Sequence, residues 1–252
     1  MISVKSVSKK YGDRLVVNNV SFDIEKGKIT SLIGPNGAGK STVLSMISRL
    51  SLKDAGEILI DGKEISKTQT SELAKMLSIL KQSNHINVRL TVRELVSFGR
   101  FPYSKGKLTK EDWRFVGEAI HYMDLEPIQE LFLDQLSGGQ QQRAYIAMTI
   151  AQDTDYILLD EPLNNLDMKH AVQIMKVLRR LTDELGKTVV IVIHDINFAS
   201  CYSDYIIALK DGNLAHYGAT NQIMDSKVLA NLYEMDISIQ DINDHKICVY
   251  YV

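Results

Sequence analysis

Apolar and polar positions alternate tightly over the first sixty residues and take up helical spacings afterwards. Residues 2–7, 15–24, 28–33 and 57–60 place apolar side chains at every second position or in brief unbroken runs, and Gly12, Gly27, Gly34 and Gly62 bound them. These segments predict strands, antiparallel in part. From Gly34 onwards the order becomes strand, glycine-rich turn, helix, and the short apolar runs at 156–159, 189–193 and 205–209 predict buried strands separated by helical stretches. Between 84 and 151 strand signals thin out, and 91–98, 109–123, 128–133 and 139–151 predict helices. Ala144, Ala147, Met148 and Ala151 fall on one face of the last of these, and Ala171, Ile174, Met175, Leu178 and Leu181 form a similar stripe in a later helix. Both stripes predict core. After a turn at Lys210-Asp211-Gly212-Asn213 come a short helix over 222–233 and a hairpin around 241–244. The pattern predicts an α/β fold with an antiparallel β part at the N-terminus. Its core would cover about 1–83 and 152–220, with an inserted α-helical subdomain over about 84–151 and a C-terminal helix and hairpin over 221–252.

Composition narrows the class. A length of 252 residues, with 45% hydrophobic and 24% charged residues, allows one large domain with a modest insert. Twenty-nine basic against thirty-one acidic side chains leave a net charge of -2, so no overall basic field predicts a nucleic-acid partner. The longest apolar stretches, such as 188–193, are far shorter than the roughly 18 to 20 residues of a membrane-spanning helix. The N-terminal segment MISVKSVSKKYG lacks the apolar run of a secretory signal, and Cys201 and Cys248 stand far apart without metal-ligand spacing. Both features suit the cytosol.

Candidate chemistry begins at Gly34-Pro35-Asn36-Gly37-Ala38-Gly39-Lys40-Ser41-Thr42, a complete G-x-x-x-x-G-K-S phosphate loop between a predicted strand and a predicted helix. Glycines at 34, 37 and 39 let successive backbone N–H groups turn towards phosphate oxygens, and the helix N-terminus adds its partial positive charge. Lys40 would meet the β- and γ-phosphates. Ser41 would offer its hydroxyl to Mg²⁺. A phosphate loop alone does not separate ATPases, GTPases and kinases. Thr109-Lys110-Glu111-Asp112 formally fits a guanine-specificity motif, but a polar stretch precedes it and Thr109 with Asp112 reads more simply as a helix capping box.

The run Tyr156-Ile157-Leu158-Leu159-Asp160-Glu161 ends in two carboxylates where the strands of an α/β sheet present ligand-binding groups. Successive strand residues point in different directions. Asp160 is therefore expected to serve Mg²⁺ and Glu161 to act as general base on the attacking water. His194, following 188–193, stands at another strand end, where a group sensing the γ-phosphate would be useful. His85, His121, His170, His216 and His245 show no metal-ligand spacing.

Leu136-Ser137-Gly138-Gly139-Gln140 lies about a hundred residues beyond the phosphate loop and just before the carboxylate pair. In wording, order and spacing it resembles the signature of the ATP-binding cassette (ABC) family, and the resemblance extends from Tyr11 to about Gly218. It implies a P-loop NTPase core and ATP hydrolysis with Mg²⁺. It implies a head-to-tail homodimer in which Ser137, Gly138, Gly139 and Gln140 of one copy close over ATP held by the other, with Asp167 at the interface. Tyr11 matches the aromatic that stacks on adenine. Gln82 matches the glutamine that senses Mg²⁺ and links the ATP site to the helical insert. Asn165-Leu166-Asp167 matches the D-loop, although Asn164 and Asn165 depart from the commoner Ser-Ala wording.

The chain carries no membrane helices, second cassette or coiled coil of the kinds that mark exporters, translation factors and chromosome proteins of this family. It resembles the ATPase subunit of a bacterial importer, working on the cytoplasmic face of the membrane with two integral-membrane permease subunits and, indirectly, an extracytoplasmic substrate-binding protein. Residues 90–96 and Gly99-Arg100-Phe101-Pro102-Tyr103 resemble the subfamily serving ferric siderophores, haem and vitamin B12, and are expected to face the permease. A soluble cassette ATPase that remodels a non-transport complex shares every ATP motif and stays open at this stage.

Overall fold

The computed structural model describes residues 1–82, 88–164 and 166–251. Contacts divide the chain into two compact units, Met1–Thr68 with Thr188–Val252 and Gln69–Lys187. The boundary expected at 83 and 84 falls outside the described residues.

In the first unit the alternating N-terminal pattern forms β1 (Ile2–Tyr11) and β2 (Arg14–Ile24), an antiparallel hairpin closed at Tyr11 opposite Arg14. β1 also pairs with β4 (Ala55–Ile60), and β5 (Lys63–Glu64) extends the sheet to the order β2-β1-β4-β5. Ile2 and Val4, Val20, Phe22 and Ile24, and Ile58 and Ile60 are buried at every second position as the sequence predicts, while a register shift between Val4 and Val7 breaks the period and returns Val7 to the core. β3 (Ile29–Ile33) is buried along its whole length and leads through the phosphate loop into α1 (Lys40–Ile47).

The second unit starts with α2 (Thr70–Met76) and β6 (Leu77–Leu80). Then come α3 (Val92–Ser97), α4 (Phe101–Ser104), α5 (Lys110–Tyr122) and α6 (Gly138–Ala151). β7 (Tyr156–Asp160) pairs in parallel with β6, and α7 (Met168–Leu185) follows. The stripe expected on α7 is buried throughout, whereas on α6 Tyr145, Ile146 and Thr149 join the buried Ala144, Ala147 and Ala151, and Met148 of the expected stripe is half-buried. The surroundings of α6 explain this, since α3, α5 and β6 all pack on it.

One predicted helix is absent. Residues 128–133 instead run as a turn and one isolated β-bridge, Phe132 opposite Thr91, and begin and end in short 3₁₀ turns, Glu126–Ile128 and Leu133–Gln135. The amides of Val92, Arg93 and Leu133 bond to Leu131, Gln129 and Leu90, so this passage runs antiparallel to the start of α3 and spends its backbone bonds there.

Returning to the first unit, β8 (Thr188–Val192) and β9 (Tyr205–Lys210) flank β3 in parallel, with α8 (Ile196–Tyr202) between them. β10 (Asn213–Ala219) pairs antiparallel with β9 and had no counterpart among the predicted strands. The helix expected over 222–233 is two helices, α9 (Thr220–Ile223) and α10 (Ser226–Tyr233). Asp225 ends one and starts the other, because its carboxylate caps the amides of Lys227 and Val228. β11 (Ser238–Ile242) and β12 (His245–Val249) form the expected terminal hairpin, turning through Asn243 and Asp244, both at positive φ.

Candidate active site

In the first unit, strand register sets the site. β3 and β8 pair with Leu32 opposite Val192, so Gly34 and His194, each two residues further on, leave the sheet at the same level. Gly34, Gly37 and Gly39 have φ of 136°, 80° and 97°, in the left-handed region that disfavours side chains. A Cβ on Gly34 would lie 2.0 Å from the Leu209 carbonyl oxygen, and one on Gly39 2.8 Å from that of Val16. Gly34 and Gly39 are required by space as well as by torsion, Gly37 by torsion alone.

Lys40 is only 4% exposed, and its Nζ donates to the carbonyls of Gly34 and Pro35 at 2.8 and 2.9 Å. The ammonium is thereby folded over the loop. Ala38 and Gly39 are buried, Pro35, Ser41 and Thr42 half-buried, and Asn36 and Gly37 exposed. Gly39 offers α1 no side-chain cap, and a helix N-terminus of this kind is suited to an anion. Tyr11, at the tip of the β1–β2 hairpin, is 52% exposed, with its hydroxyl 3.2 Å from Ser51 Oγ and the Lys9 ammonium 5.4 Å from its ring centroid. His194 is exposed and leads into Asp195, which caps α8 through the amides of Asn197 and Phe198.

The second unit repeats the register logic. β6 and β7 pair with Leu80 opposite Leu159, and two residues beyond each stand Gln82 and Glu161. Gln82 Nε2 donates to Glu161 Oε2 at 2.6 Å. Asn164 Nδ2 donates to the same oxygen from the turn that follows. Asp160, the last residue of β7, is 8% exposed, while Glu161 is half-buried at φ 50°. The two neighbouring carboxylates thus differ in surroundings, Asp160 buried and Glu161 half-buried against two side-chain amides.

Ser137 caps α6, accepting from the Gln140 amide, while Gln140 Oε1 accepts from the Ser137 amide at 2.9 Å. Ser137 and Gly138 are exposed at that N-terminus, and Gly139 faces Leu166 and His170. Asp167 caps α7 through the His170 amide at 2.9 Å and meets His170 Nδ1 at 2.8 Å. The His170 amide, more than its ring, holds the Asp167 carboxyl below the usual range. Of the D-loop residues, Asn165 lies outside the described residues, as does His85.

Sequence reasoning overlooked two contacts. Asn164 entered it only as a departure from the commoner D-loop wording, although an amide three residues after the candidate base is within reach of a turn. Tyr233, whose hydroxyl accepts the Gly34 amide at 3.2 Å, carried no signal in the sequence. The segment 99–103, expected to face a permease, also divides. Phe101 is 58% exposed, but Gly99 and Arg100 are buried, and Arg100 pairs with Asp112 at 2.9 Å inside the second unit.

The residues present suit a nucleoside triphosphate and a divalent cation. In the first unit the glycine cradle and the folded-in lysine match a polyphosphate, and Ser41 there and Asp160 in the second unit each carry a hard oxygen donor of the kind magnesium prefers.

Comparison with known proteins bears on the same point. The ABC transporter family pattern matches residues 17–164. The petrobactin import ATP-binding protein YclP of Bacillus subtilis (strain 168) is 62% identical over 251 residues, covering 100% of both chains. The petrobactin import ATP-binding protein FatE of Bacillus anthracis is 51% identical, covering 95% of this chain and 96% of its own. Among solved structures, the dimeric ATP-binding cassette MJ0796 in a post-hydrolysis state with ADP and Pi superposes with a TM-score of 0.78 at 35% identity, covering 87% of this chain and 99% of its own. Agreement of this extent, in sequence and in fold, rests on the whole nucleotide-binding architecture rather than on one motif, and the chain belongs to the ABC transporter family as an ATP-binding, ATP-hydrolysing member.

Proposed function

We propose that the chain is the ATP-hydrolysing subunit of an importer for a ferric siderophore, acting as a homodimer beneath two membrane permeases that receive cargo from an extracytoplasmic binding protein. The observation that carries this reading is the full-length, 62% identity to a petrobactin import subunit. Among the described residues no helix is long and apolar enough to cross a membrane. Attachment to the cytoplasmic face would come through the permeases.

In this reading the loop 34–42 binds the phosphates of ATP, its amides and the Lys40 ammonium offsetting their charge, and Tyr11 stacks on the adenine. Ser41, Asp160 and Gln82 are the candidate magnesium ligands. Bound there, the cation would draw charge from the phosphate oxygens during transfer. Glu161 takes a proton from the attacking water, and His194 donates towards the γ-phosphate. Ser137, Gly138, Gly139, Gln140 and Asp167 act on the ATP held by the second copy. The Gln82–Glu161 hydrogen bond supports a link between metal sensing and the base.

Affinity capture of the tagged chain from detergent-solubilised membranes tests the assembly. Recovery of a polytopic permease is expected. Recovery of ribosomes or another soluble complex, with no permease, would replace transport by a remodelling role.

A further inference from the structure

The last ordered helix of the chain ends on the phosphate loop. Tyr233 closes α10, half-buried, and its hydroxyl oxygen accepts the Gly34 N–H at 3.2 Å. Gly34 is buried, and on its other side the Leu209 carbonyl leaves no space for a Cβ. The first residue of the loop is therefore held from two directions, by the backbone of β9 and by a phenol.

α10 is itself anchored. Lys210, at the end of β9, donates to the Asn231 carbonyl at 2.6 Å and pairs with Glu234 at 2.8 Å. Asp225 caps the other end of the helix. The hairpin beyond it lies on α8, the helix that begins two residues after His194. There the Asn197 side-chain amide donates to the Cys248 carbonyl at 3.2 Å and accepts from the Cys248 amide at 2.7 Å, while Ser200 Oγ donates to the Lys246 carbonyl at 2.6 Å. One C-terminal segment thus braces both strand exits that carry nucleotide-facing residues. Burial pushes the Tyr233 phenol up to about 12, so the hydroxyl keeps its proton throughout the neutral range.

We propose that Tyr233 is a positioning residue for the nucleotide phosphates, fixing the start of the phosphate loop so that the amides after it and Lys40 stand ready for ATP. This rests on the assignment of residues 34–42 as the phosphate site. Tyr233 touches no reacting group, so its contribution falls on binding. Without the phenolic oxygen the Gly34 amide becomes a buried donor lacking an acceptor, and the loop must shift to find another. Ordering the loop then accompanies each binding event.

The test uses the full-length protein with the conservative Tyr233→Phe substitution, which keeps the ring and removes only the oxygen. ATP affinity is measured by calorimetry, KM and kcat by phosphate release, and the fold by thermal melting. ATP is expected to bind about three- to ten-fold more weakly, with KM rising in step, as for loss of one buried hydrogen-bond acceptor. At saturation kcat should stay within about two-fold of wild type. Tyr217→Phe, which removes a phenol packed on Phe22 away from the loop, should leave affinity unchanged. Unchanged ATP affinity in Tyr233→Phe overturns the proposal, whether or not the melting point falls, and so does a loss confined to kcat. Lys40→Ala separates the two levels of inference: retained ATP binding in that variant would overturn the loop assignment itself, whereas lost binding beside a wild-type Tyr233→Phe overturns only the role of Tyr233.

Discussion

Glu161 occupies the left-handed region at φ 50°, a conformation costing a non-glycine residue on the order of 1–3 kcal/mol. The strain is located where function would use it, since the turn carries the carboxylate out of the strand direction that Asp160 still follows. Two amides then converge on its Oε2. Glu161→Gln preserves shape and removes the base. The variant should bind ATP with wild-type affinity, lose at least about a hundred-fold in turnover, and elute as a dimer when ATP is present. Turnover at the wild-type rate would remove Glu161 from the chemistry. The pairing of Gln82 with Glu161 was legible in part, because each follows an apolar run, but only the register of β6 against β7 sets them side by side. The contact from Tyr233 was not legible, because a tyrosine about two hundred residues from Gly34 has no local pattern to declare its partner.

Elements were legible where the local pattern and the environment agree. The β3–loop–α1 unit, the stripe of α7 and the terminal hairpin followed from spacing, glycine positions and turn residues. Residues 128–133 defeated the same reasoning because long-range backbone pairing outweighed a short helical pattern. The Thr109–Asp112 motif illustrates the value of a local physical reading. Thr109 caps α5, its hydroxyl donating to Asp112 Oδ2 at 2.8 Å and accepting from the Asp112 amide, so the guanine-motif wording is a capping box. Asp112 does more than cap, because its other oxygen meets Arg100 at 2.9 Å and Arg100 also donates to the Ala151 carbonyl at 3.0 Å. The two side chains are 6% and 7% exposed.

Asp112→Asn would leave a buried guanidinium without its counter-charge, and chemical denaturation should show a loss of about 3–5 kcal/mol. The pH dependence has a definite sign. The Thr109 amide first, and then Arg100, hold the Asp112 carboxyl below the usual carboxylate range. A depressed carboxylate contributes stability above its unfolded value and loses it as pH falls through the folded one. The gap between wild type and Asp112→Asn should therefore be full at neutral pH and close in acid, below the ordinary carboxylate range. A gap that widens in acid would contradict the pairing.

At the scale of the whole molecule, near-balanced charge conceals anion-binding loops built from backbone amides and helix ends rather than from net charge. The same economy explains why cargo was hard to read from the chain. In the proposed importer the cargo is met by the partners, and this chain exposes apolar side chains such as Phe98 and Phe101 that suit a partner surface. The family was legible from the phosphate loop, signature and carboxylate pair. The ferric-siderophore reading gains its support from full-length similarity to a petrobactin import subunit.

Uptake of a radiolabelled ferric siderophore tests that reading most directly, in cells deleted for this chain and complemented with wild type or with Glu161→Gln at equal expression. Wild type should restore uptake and Glu161→Gln should leave it at the level of the deletion. Uptake that is the same with and without the chain, across catecholate and hydroxamate siderophores, would contradict the assignment.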